Sequence, residues 1–304
     1  MENNIVTFEN VSKKYNRYSW WIKNCSFMLP SNKIIALVGE NGAGKTTTLK
    51  LMMGLLKKTH GNIIVKGKTP NSFSLNNDIG FLPERIEFPD FFTSNDIIYN
   101  LSKIRRVNNK GMKKIEEYIE YFKLNGMLNK AYASLSKGNK QKIGIIQAIL
   151  HDPELLILDE PTSGLDPMAR KRLFDLIFNL KNEGKTIIVS SHNLQDMQKS
   201  ADIILFFKDG TLAKMFNVKE EMKNSMHIKA YFENVITNKD IEKIKQSIIG
   251  VTKVTSSYMI IQNNTFSNIN ELIHKLDCID IKVLRINSES TLLEDYYLKL
   301  FDEN

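Results

Sequence analysis

The chain has 304 residues, 42% of them hydrophobic and 25% charged, with a formal net charge of +8 at pH 7. This length is enough for one large domain and one small one, and the composition is ordinary for a globular protein. No apolar run approaches the roughly 20 residues that a membrane-spanning helix needs. Because the first residues lack the charged and apolar regions of a signal peptide, we expect a cytoplasmic protein.

The distribution of positive charge indicates an ordinary solvated surface, and the cysteine content suits the reducing cytoplasm. The lysines are scattered instead of forming a dense block with interleaved aromatic residues, so we expect no nucleic-acid partner and only mild attraction to an anionic membrane face. The two cysteines, Cys25 and Cys278, lie in different predicted domains and have neither disulfide nor metal-ligand spacing.

A glycine-rich loop stands between a predicted strand, Ile34–Val38, and apolar residues that recur at helical spacing (Leu49, Met52, Met53 and Leu56). The loop, residues 39–46, fits G-x-x-x-x-G-K-[ST] at every defined position, so we call it the phosphate loop. The backbone N–H groups of such a loop converge on a bound phosphate. We expect Lys45 to meet the β- and γ-phosphates and Thr46 to ligate Mg²⁺. The predicted nucleotide-binding residues are Gly39, Asn41, Gly42, Gly44, Lys45, Thr46 and Thr47.

Residues 85–134 have a different character from the short strands that precede them. Helical apolar spacing occurs at Asp96–Ile104 and at Lys113–Leu124, which predicts a helical subdomain. Three phenylalanines cluster around Pro89 before the first of these helices: Phe88, Phe91 and Phe92. They are either exposed interface anchors or part of the core of the subdomain, and the sequence leaves both interpretations open.

An acid pair, Asp159 and Glu160, follows the predicted buried strand Leu155–Leu158. Unpaired buried charge is costly, and Mg²⁺ would account for it. We expect Asp159 to hold the ion and Glu160 to polarise the water that attacks a γ-phosphate, as general base or as positioning group. The pair is a weak signal alone and a strong one in a chain that also carries a phosphate loop.

The rest of the chain predicts an α/β domain followed by a small α+β domain. From Pro153 to about Phe216 strands and helices alternate, which indicates a mostly parallel sheet with an antiparallel strand layer at one side. Asp209-Gly210 is a hairpin signal. We place the first domain at 1–218 and the second at 225–304, joined by a charged linker. The β-α-β-β-α-β pattern of the second domain predicts a ferredoxin-like fold, closed by a final helix, Thr291–Phe301. Its role is open among regulation, dimerisation and partner binding.

Residues 135–139, Leu-Ser-Lys-Gly-Asn, resemble the signature sequence of the ATP-binding cassette (ABC) family, and with the other motifs they indicate that fold over about residues 1–216. This signature segment has Lys137 and Asn139 where the family usually has glycine and glutamine. The resemblance implies that the signature of one subunit closes over the phosphate loop of another, giving a head-to-tail dimer. The residues that would act in this way are Ser136, Gly138 and Asn139.

Other positions match the family one at a time. Tyr15 corresponds to the aromatic residue that stacks on adenine, with an ordinary strand-edge tyrosine as the alternative. His192 corresponds to the histidine that contacts the γ-phosphate and the attacking water, so the catalytic set is Glu160, His192 and Lys45. Asp166 belongs to a loop that couples the two sites of the dimer. Glu84 stands where the family usually has a glutamine that senses Mg²⁺, and a carboxylate is also a hard oxygen ligand.

The resemblance implies the ATP-hydrolysing subunit of an ABC transporter, with Mg²⁺ as cofactor, that acts as a homodimer or as a cassette heterodimer. It would power a separate membrane permease and lie at the cytoplasmic face of the membrane through that partner. Glu84, the altered signature and the segment Leu293–Leu300 resemble cassettes of the drug, bacitracin and lantibiotic exporter subgroup. We therefore expect export of a drug, an antimicrobial peptide or a lipid. The alternative is a soluble, non-transport ABC ATPase that acts on ribosomes or DNA, although such proteins usually have paired cassettes or a coiled-coil insertion that this chain lacks.

Overall fold

The structure is a computed structural model, and it describes residues 4–15, 19–70, 78–218, 220–221, 226–262 and 269–290. The chain divides into two compact units, Met1–Phe216 and Asn217–Asn304, which we call the first and the second unit. Across the described ranges, every helix is too short or too polar to cross a membrane.

Two sheets form the framework of the first unit. Its strands are β1 (Asn4–Lys14), β2 (Trp20–Pro30), β3 (Ile34–Val38), β4 (His60–Val65), β5 (Ile79–Leu82), β6 (Leu155–Leu158), β7 (Thr186–Ser191), β8 (Ile203–Lys208) and β9 (Thr211–Asn217). One sheet has the order β5-β6-β7-β3-β8-β9, and the other has the order β2-β1-β4. The pairs β5–β6, β6–β7, β7–β3 and β3–β8 are parallel, whereas β1 is antiparallel to both of its neighbours. The predicted parallel core with an antiparallel strand layer is thus confirmed.

The parallel strands are continuous apolar runs because both of their faces are covered. Every residue of β3 and of β6 is buried. At the sheet edge β8 continues into β9 through Asp209 and Gly210, whose φ angles of 49° and 76° make the predicted two-residue hairpin turn. The carboxyl ends of β3, β6 and β7 therefore meet at one edge of the sheet, where the candidate site lies.

The described α-helices of the first unit are α1 (Lys45–Met52), α2 (Ser94–Ile104), α3 (Asn109–Tyr121), α4 (Lys137–Ile149), α5 (Pro167–Asn182) and α6 (Leu194–Ser200), and two short 3-10 helices lie at Asn125–Met127 and Tyr132–Ser134. Two predicted helix limits were wrong. The apolar spacing that continued to Leu56 overran α1, which ends before Gly54 at a φ of 70°. The predicted helix Lys113–Leu124 begins earlier, because Asn108 caps it, and ends at Tyr121 before the left-handed Lys123.

A single buried cluster packs α1 between the two sheets. Leu49 of α1 is fully buried within it, and Phe8 of β1 stacks on Phe27 of β2 with ring centroids 4.5 Å apart. Ile35 and Leu205 bring the parallel sheet into the same cluster. The start of α1 is thereby fixed against β3, which determines where the phosphate loop can lie.

The second unit has its own sheet and its own core. Its elements are β10 (Met226–Phe232), α7 (Asn238–Ser247), β11 (Val251–Val254), β12 (Tyr258–Gln262), α8 (Ile269–Asp277) and β13 (Val283–Ser290). The sheet is antiparallel with the order β11-β12-β10-β13, so the predicted ferredoxin-like pattern is confirmed. Its core includes Ile228, Ile244 and Leu272.

In the second unit, the predicted start of the last strand was wrong. The last strand was predicted to begin at Ile279, but residues 279–280 complete the turn after α8 and β13 begins at Val283. The left-handed Asp280, with a φ of 66°, separates the two elements. The predicted closing helix, Thr291–Phe301, and most of the predicted linker lie outside the described residues.

Candidate functional site

The phosphate loop has the backbone geometry that its glycines were expected to permit. Gly42 and Gly44 have φ angles of 85° and 105°, and Gly44 is the residue that precedes α1. A side chain on Gly39 would place its Cβ 2.3 Å from the carbonyl oxygen of Phe207, so the close packing against β8 also requires glycine. Of the other predicted loop residues, Asn41 is exposed and Thr47 is buried in the first turn of α1.

Lys45 is buried, and its ammonium group lies over the loop. Its Nζ donates hydrogen bonds to the carbonyl oxygens of Gly39 at 2.7 Å and Glu40 at 3.0 Å. Burial lowers the pKa of Lys45, and the negative charges of Glu160, Asp159 and Glu84 oppose this shift. The cation is thus held next to the loop with acidic groups nearby.

Asp159 connects the loop to the end of β6. Only 1% of Asp159 is exposed, and its Oδ1 accepts hydrogen bonds from Thr46 Oγ1 at 3.1 Å and from Ser190 Oγ at 2.6 Å. Burial raises the pKa of this carboxyl, whereas the two hydroxyl donors lower it. Two of the three residues that the sequence assigned to the metal ion, Thr46 and Asp159, are therefore in direct contact.

Glu160 and His192 form the next part of the site. The carboxylate oxygen Oε2 of Glu160 lies 2.9 Å from Nδ1 of His192, whose side chain is largely exposed. Burial raises the pKa of Glu160, and His192 and Lys45 oppose that shift. The predicted catalytic set Glu160, His192 and Lys45 is brought together here.

Two polar residues of the site were missed at the sequence level. Ser190 of β7 donates to Asp159 and also accepts the backbone N–H of Glu160 at 2.8 Å. Gln141 of α4 is 3% exposed, and its Nε2 donates to the carbonyl oxygen of Pro161 at 3.1 Å. The only sequence signal for Ser190 is its place at the end of a strand adjacent to β6, and Gln141 has none beyond its nearness to the signature segment.

The signature segment begins α4. Ser136 is the N-cap of that helix, and its Oγ accepts the backbone N–H of Asn139 at 3.3 Å. Among the residues with described positions, no hydrogen bond joins Ser136, Gly138 or Asn139 to the phosphate loop of the same chain. Asp166 is the N-cap of α5. Its carboxylate accepts a hydrogen bond from the backbone N–H of Ala169, and this bond lowers the pKa of Asp166.

Tyr15 and Glu84 are the remaining predicted site residues, and both are exposed. Tyr15 is 63% exposed and stacks on Trp21, with ring centroids 4.7 Å apart. The backbone of Trp21 approaches Gly44 so closely that a Cβ there would be 3.0 Å from the Trp21 carbonyl oxygen, which places the aromatic pair near the start of α1. Glu84 is exposed, and its charge raises the pKa of Lys45 and of Asp159.

The fold and this arrangement define a phosphate-loop nucleoside triphosphatase domain: a parallel sheet, a glycine-rich loop that leads into a helix, and two acids at the end of an adjacent strand. A family model described as "ABC transporter" matches residues 22–163.

Similar proteins agree with this class. The bacitracin transport ATP-binding protein BcrA of Enterococcus faecalis is 32% identical over 301 residues, which covers 97% of this chain and 96% of that protein. The lantibiotic transport ATP-binding protein SrtF of Streptococcus pyogenes is 31% identical over 232 residues, 76% of this chain and 97% of that protein. A solved ATP-binding subunit of an ABC transporter is 25% identical with a TM-score of 0.65, over 72% of this chain and 92% of that one.

The fold of a dimeric bacterial ABC transporter cassette is also similar, with a TM-score of 0.65 at 22% identity, over 70% of this chain and 98% of that one. The chain belongs to the ABC transporter family, as one of its ATP-binding and ATP-hydrolysing subunits. The family resemblance seen in the motifs is thereby confirmed.

Proposed function

We propose that the chain dimerises around ATP and powers a separate membrane permease that exports a drug, an antimicrobial peptide or a lipid. The observation that carries the ATPase role is the continuous hydrogen-bonded set Thr46–Asp159–Ser190–Glu160–His192 beside the phosphate loop. The export role is supported by relatives named for bacitracin and lantibiotic transport.

The donor set near the loop fits Mg²⁺. Thr46 and Asp159 offer hard oxygen atoms, and Mg²⁺ usually takes one or two protein oxygens and fills its other positions with phosphate oxygens and water. Across the ranges of chain that are described, no cluster of three acidic, histidine or cysteine side chains could hold a metal without such a nucleotide. A bound Mg²⁺ would neutralise charge on the β- and γ-phosphates. Thr46 and Asp159 would hold the ion, and the Glu84 carboxylate, whose charge raises the pKa of Asp159, would add a further oxygen.

The roles of the other residues follow from their positions. Lys45 would exchange the carbonyl oxygens of Gly39 and Glu40 for phosphate oxygens. Glu160 would orient the attacking water and accept its proton, while His192 would hold the carboxylate and contact the γ-phosphate and the attacking water. Tyr15 would stack on the adenine ring.

The dimer follows from where the signature segment lies. Ser136, Gly138 and Asn139 have no hydrogen bond to the loop of their own chain within its described part. We propose that they complete the nucleotide site of a partner subunit, with Asp166 coupling the two sites. Since each chain carries both halves, a homodimer would have two complete sites.

The permease would dock on the first unit and hold the chain at the cytoplasmic face of the membrane. A groove of about 630 Å³ lies between β5 and α2, and we call it the docking groove. Its lining includes Phe81, Arg85, Ile86, Phe88, Leu101 and Arg105. The second unit contains none of the site residues, and we propose an accessory role for it, regulatory or dimerising.

Replacing Glu160 by Gln tests the ATPase cycle. The amide cannot accept the proton of the water, so we expect ATP hydrolysis to fall by at least about 10²-fold while ATP binding remains. The ATP-bound dimer should then accumulate, which gel filtration with light scattering measures in the presence of Mg²⁺ and ATP. Glu117→Gln, on the exposed side of α3, is the matched control. Normal hydrolysis by Glu160→Gln would exclude the assigned role, and loss of hydrolysis without a dimer would argue against closure around ATP.

A further inference from the structure

The side chain of Gln141 joins the helix of the signature segment to the backbone that carries Glu160. Its Nε2 lies 3.1 Å from the carbonyl oxygen of Pro161 and 3.4 Å from that of Glu160. The side chain is 3% exposed, so water does not compete for these bonds. A buried amide that donates hydrogen bonds to two successive carbonyl groups fixes the orientation of both peptide groups.

The backbone at Glu160 needs such support. Its φ is 48°, in the left-handed region that residues with a side chain rarely adopt. Pro161 follows, and a proline further restricts the residue before it. Ser190 Oγ holds the N–H of Glu160 on one side, and Gln141 holds its carbonyl and that of Pro161 on the other. Two different elements, β7 and α4, therefore hold the backbone of Glu160 in an unfavourable conformation, and this backbone determines where its side chain points.

We propose that Gln141 is a positioning residue for ATP hydrolysis. Through the backbone of Glu160 and Pro161 it keeps the Glu160 carboxylate beside His192, and it does not touch the nucleotide. This inference rests on the proposed role of Glu160 as the group that orients the water and accepts its proton.

The position of Gln141 in α4 adds a connection between sites. It lies between one and two helical turns after Ser136, the N-cap of the same helix. In the proposed dimer that N-terminus contacts the nucleotide of the partner subunit. The same helix therefore carries both the proposed contact to the partner's nucleotide and the support of Glu160 in its own chain.

The variant Gln141→Met in the full-length chain keeps the size of the side chain and removes its donors. We expect kcat for ATP to fall about tenfold, the size expected when the two neutral hydrogen bonds that place a catalytic group, one of them long, are lost. The KM for ATP should stay within about twofold, because the phosphate loop and Tyr15 are unaffected. Gln198→Met, the same change at a half-buried glutamine of α6, is the matched control and should leave both constants unchanged.

Two further measurements separate positioning from general destabilisation. If Gln141→Met does not fold, Gln141→Glu keeps both size and polarity but sets a carboxylate against the two carbonyl oxygens, and it should show the same loss of kcat. The double variant Gln141→Met with Glu160→Gln should be no slower than Glu160→Gln alone, because Gln141 acts through Glu160.

The possible outcomes are distinct. A folded Gln141 variant with kcat within twofold of the unchanged protein overturns the inference, and so does an equal loss of kcat and nucleotide affinity or an additive loss in the double variant. Normal hydrolysis by Glu160→Gln alone would instead remove the proposed role of Glu160, whatever the effect of Gln141→Met.

Discussion

At the scale of single residues, burial sets the charge states of the site. It raises the pKa values of Asp159 and Glu160 and lowers that of Lys45, so each group resists its charged form. The opposite charges of neighbours and the hydroxyl donors of Thr46 and Ser190 counter these shifts. Bound Mg²⁺ would favour the ionised form of Asp159, and the phosphate oxygens would favour the charged form of Lys45.

The proposed role of Glu160 as proton acceptor predicts how hydrolysis depends on pH. The carboxylate must be ionised to accept a proton, and burial raises its pKa, so activity is present above that pKa and is lost as the pH falls through it. The fall should begin at a higher pH than an ordinary glutamate would give. His192 lowers the pKa of Glu160, and His192→Ala removes that effect. We expect this variant to lose activity at a still higher pH, beside a fall in kcat of about tenfold or more.

The profile of kcat against pH, measured at saturating ATP, checks this expectation. His274→Ala, a histidine of α8 in the second unit, is the control and should give the profile of the unchanged protein. An acid limb for His192→Ala that stays in place or moves to lower pH would contradict the coupling between His192 and Glu160.

The sequence identifies those site residues that belong to a local motif, but not those whose hydrogen-bond partners are distant in the chain. Lys45, Thr46, Asp159 and Glu160 stand at fixed spacings from a strand or a glycine-rich turn, and a pattern of residue types can identify them. Gln141 and Ser190 act on backbone groups supplied by β6 and its following turn, which are distant in the chain. Several polar residue types could make such bonds, so no spacing rule identifies them.

At the scale of elements, the start of α4 and the loop before α5 are in close contact. A Cβ on Gly138 would lie 2.6 Å from the carbonyl oxygen of Gly164, and a Cβ on Gly164 would lie 2.8 Å from Cγ of Lys137. Lys137, which departs from the usual signature, thus lays its aliphatic stem on Gly164. The signature segment and the loop that ends at Asp166 are joined by packing as well as by Gln141.

Gly164→Ala should destabilise the first unit for two reasons. Its φ is 75°, where a side chain costs about 1–2 kcal/mol, and the new methyl group would clash with Lys137. We expect the melting temperature, measured by differential scanning fluorimetry, to fall by about 2–8 °C. Adding Lys137→Ala removes Cγ and Cδ, so it should recover the part of the loss that comes from the clash.

Gly126→Ala is the control, because a Cβ there has no heavy atom within 4 Å and its φ is not in the left-handed region. The packing account fails if Gly164→Ala melts like the unchanged protein. If Lys137→Ala gives no recovery, the contact between Lys137 and Gly164 contributes nothing to the destabilisation.

Element types were easier to predict than element ends. The buried runs of β3 and β6 and the apolar stripe of α5 reflect burial against a core, which periodicity reports directly. The ends of α3 and the start of β13 depend on single residues, such as the cap Asn108 and the left-handed Asp280, which give no periodic signal. The predicted ends were therefore displaced by several residues, while the order of elements was right across the described residues.

At the scale of the whole molecule, the two units have separate hydrophobic cores, and every candidate site residue belongs to the first. Phe88 lines the docking groove, and the exposed Phe91 follows it three residues later, so we expect the permease to bind on this side of the first unit. Phe91 is 77% exposed and packs edge-on against Phe92, whereas Phe88 is half-buried against Tyr132. Phe88 thus packs within the subdomain, whereas Phe91 is exposed, as an interface anchor must be, so its role in docking stays a prediction.

Phe91→Asp should therefore weaken binding to the membrane partner. We expect the unchanged chain, purified from detergent-solubilised membranes of its native host, to bring with it a membrane protein with several spans in stoichiometric amount. An aspartate at the centre of an apolar contact would be buried without a partner, so recovery of that protein should fall about tenfold or more. Phe178→Asp, at another exposed phenylalanine on α5, should recover it fully. Undiminished recovery with Phe91→Asp would move the interface elsewhere, and recovery of ribosomes or nucleic acid in place of a membrane protein would leave an ATPase without a transport role.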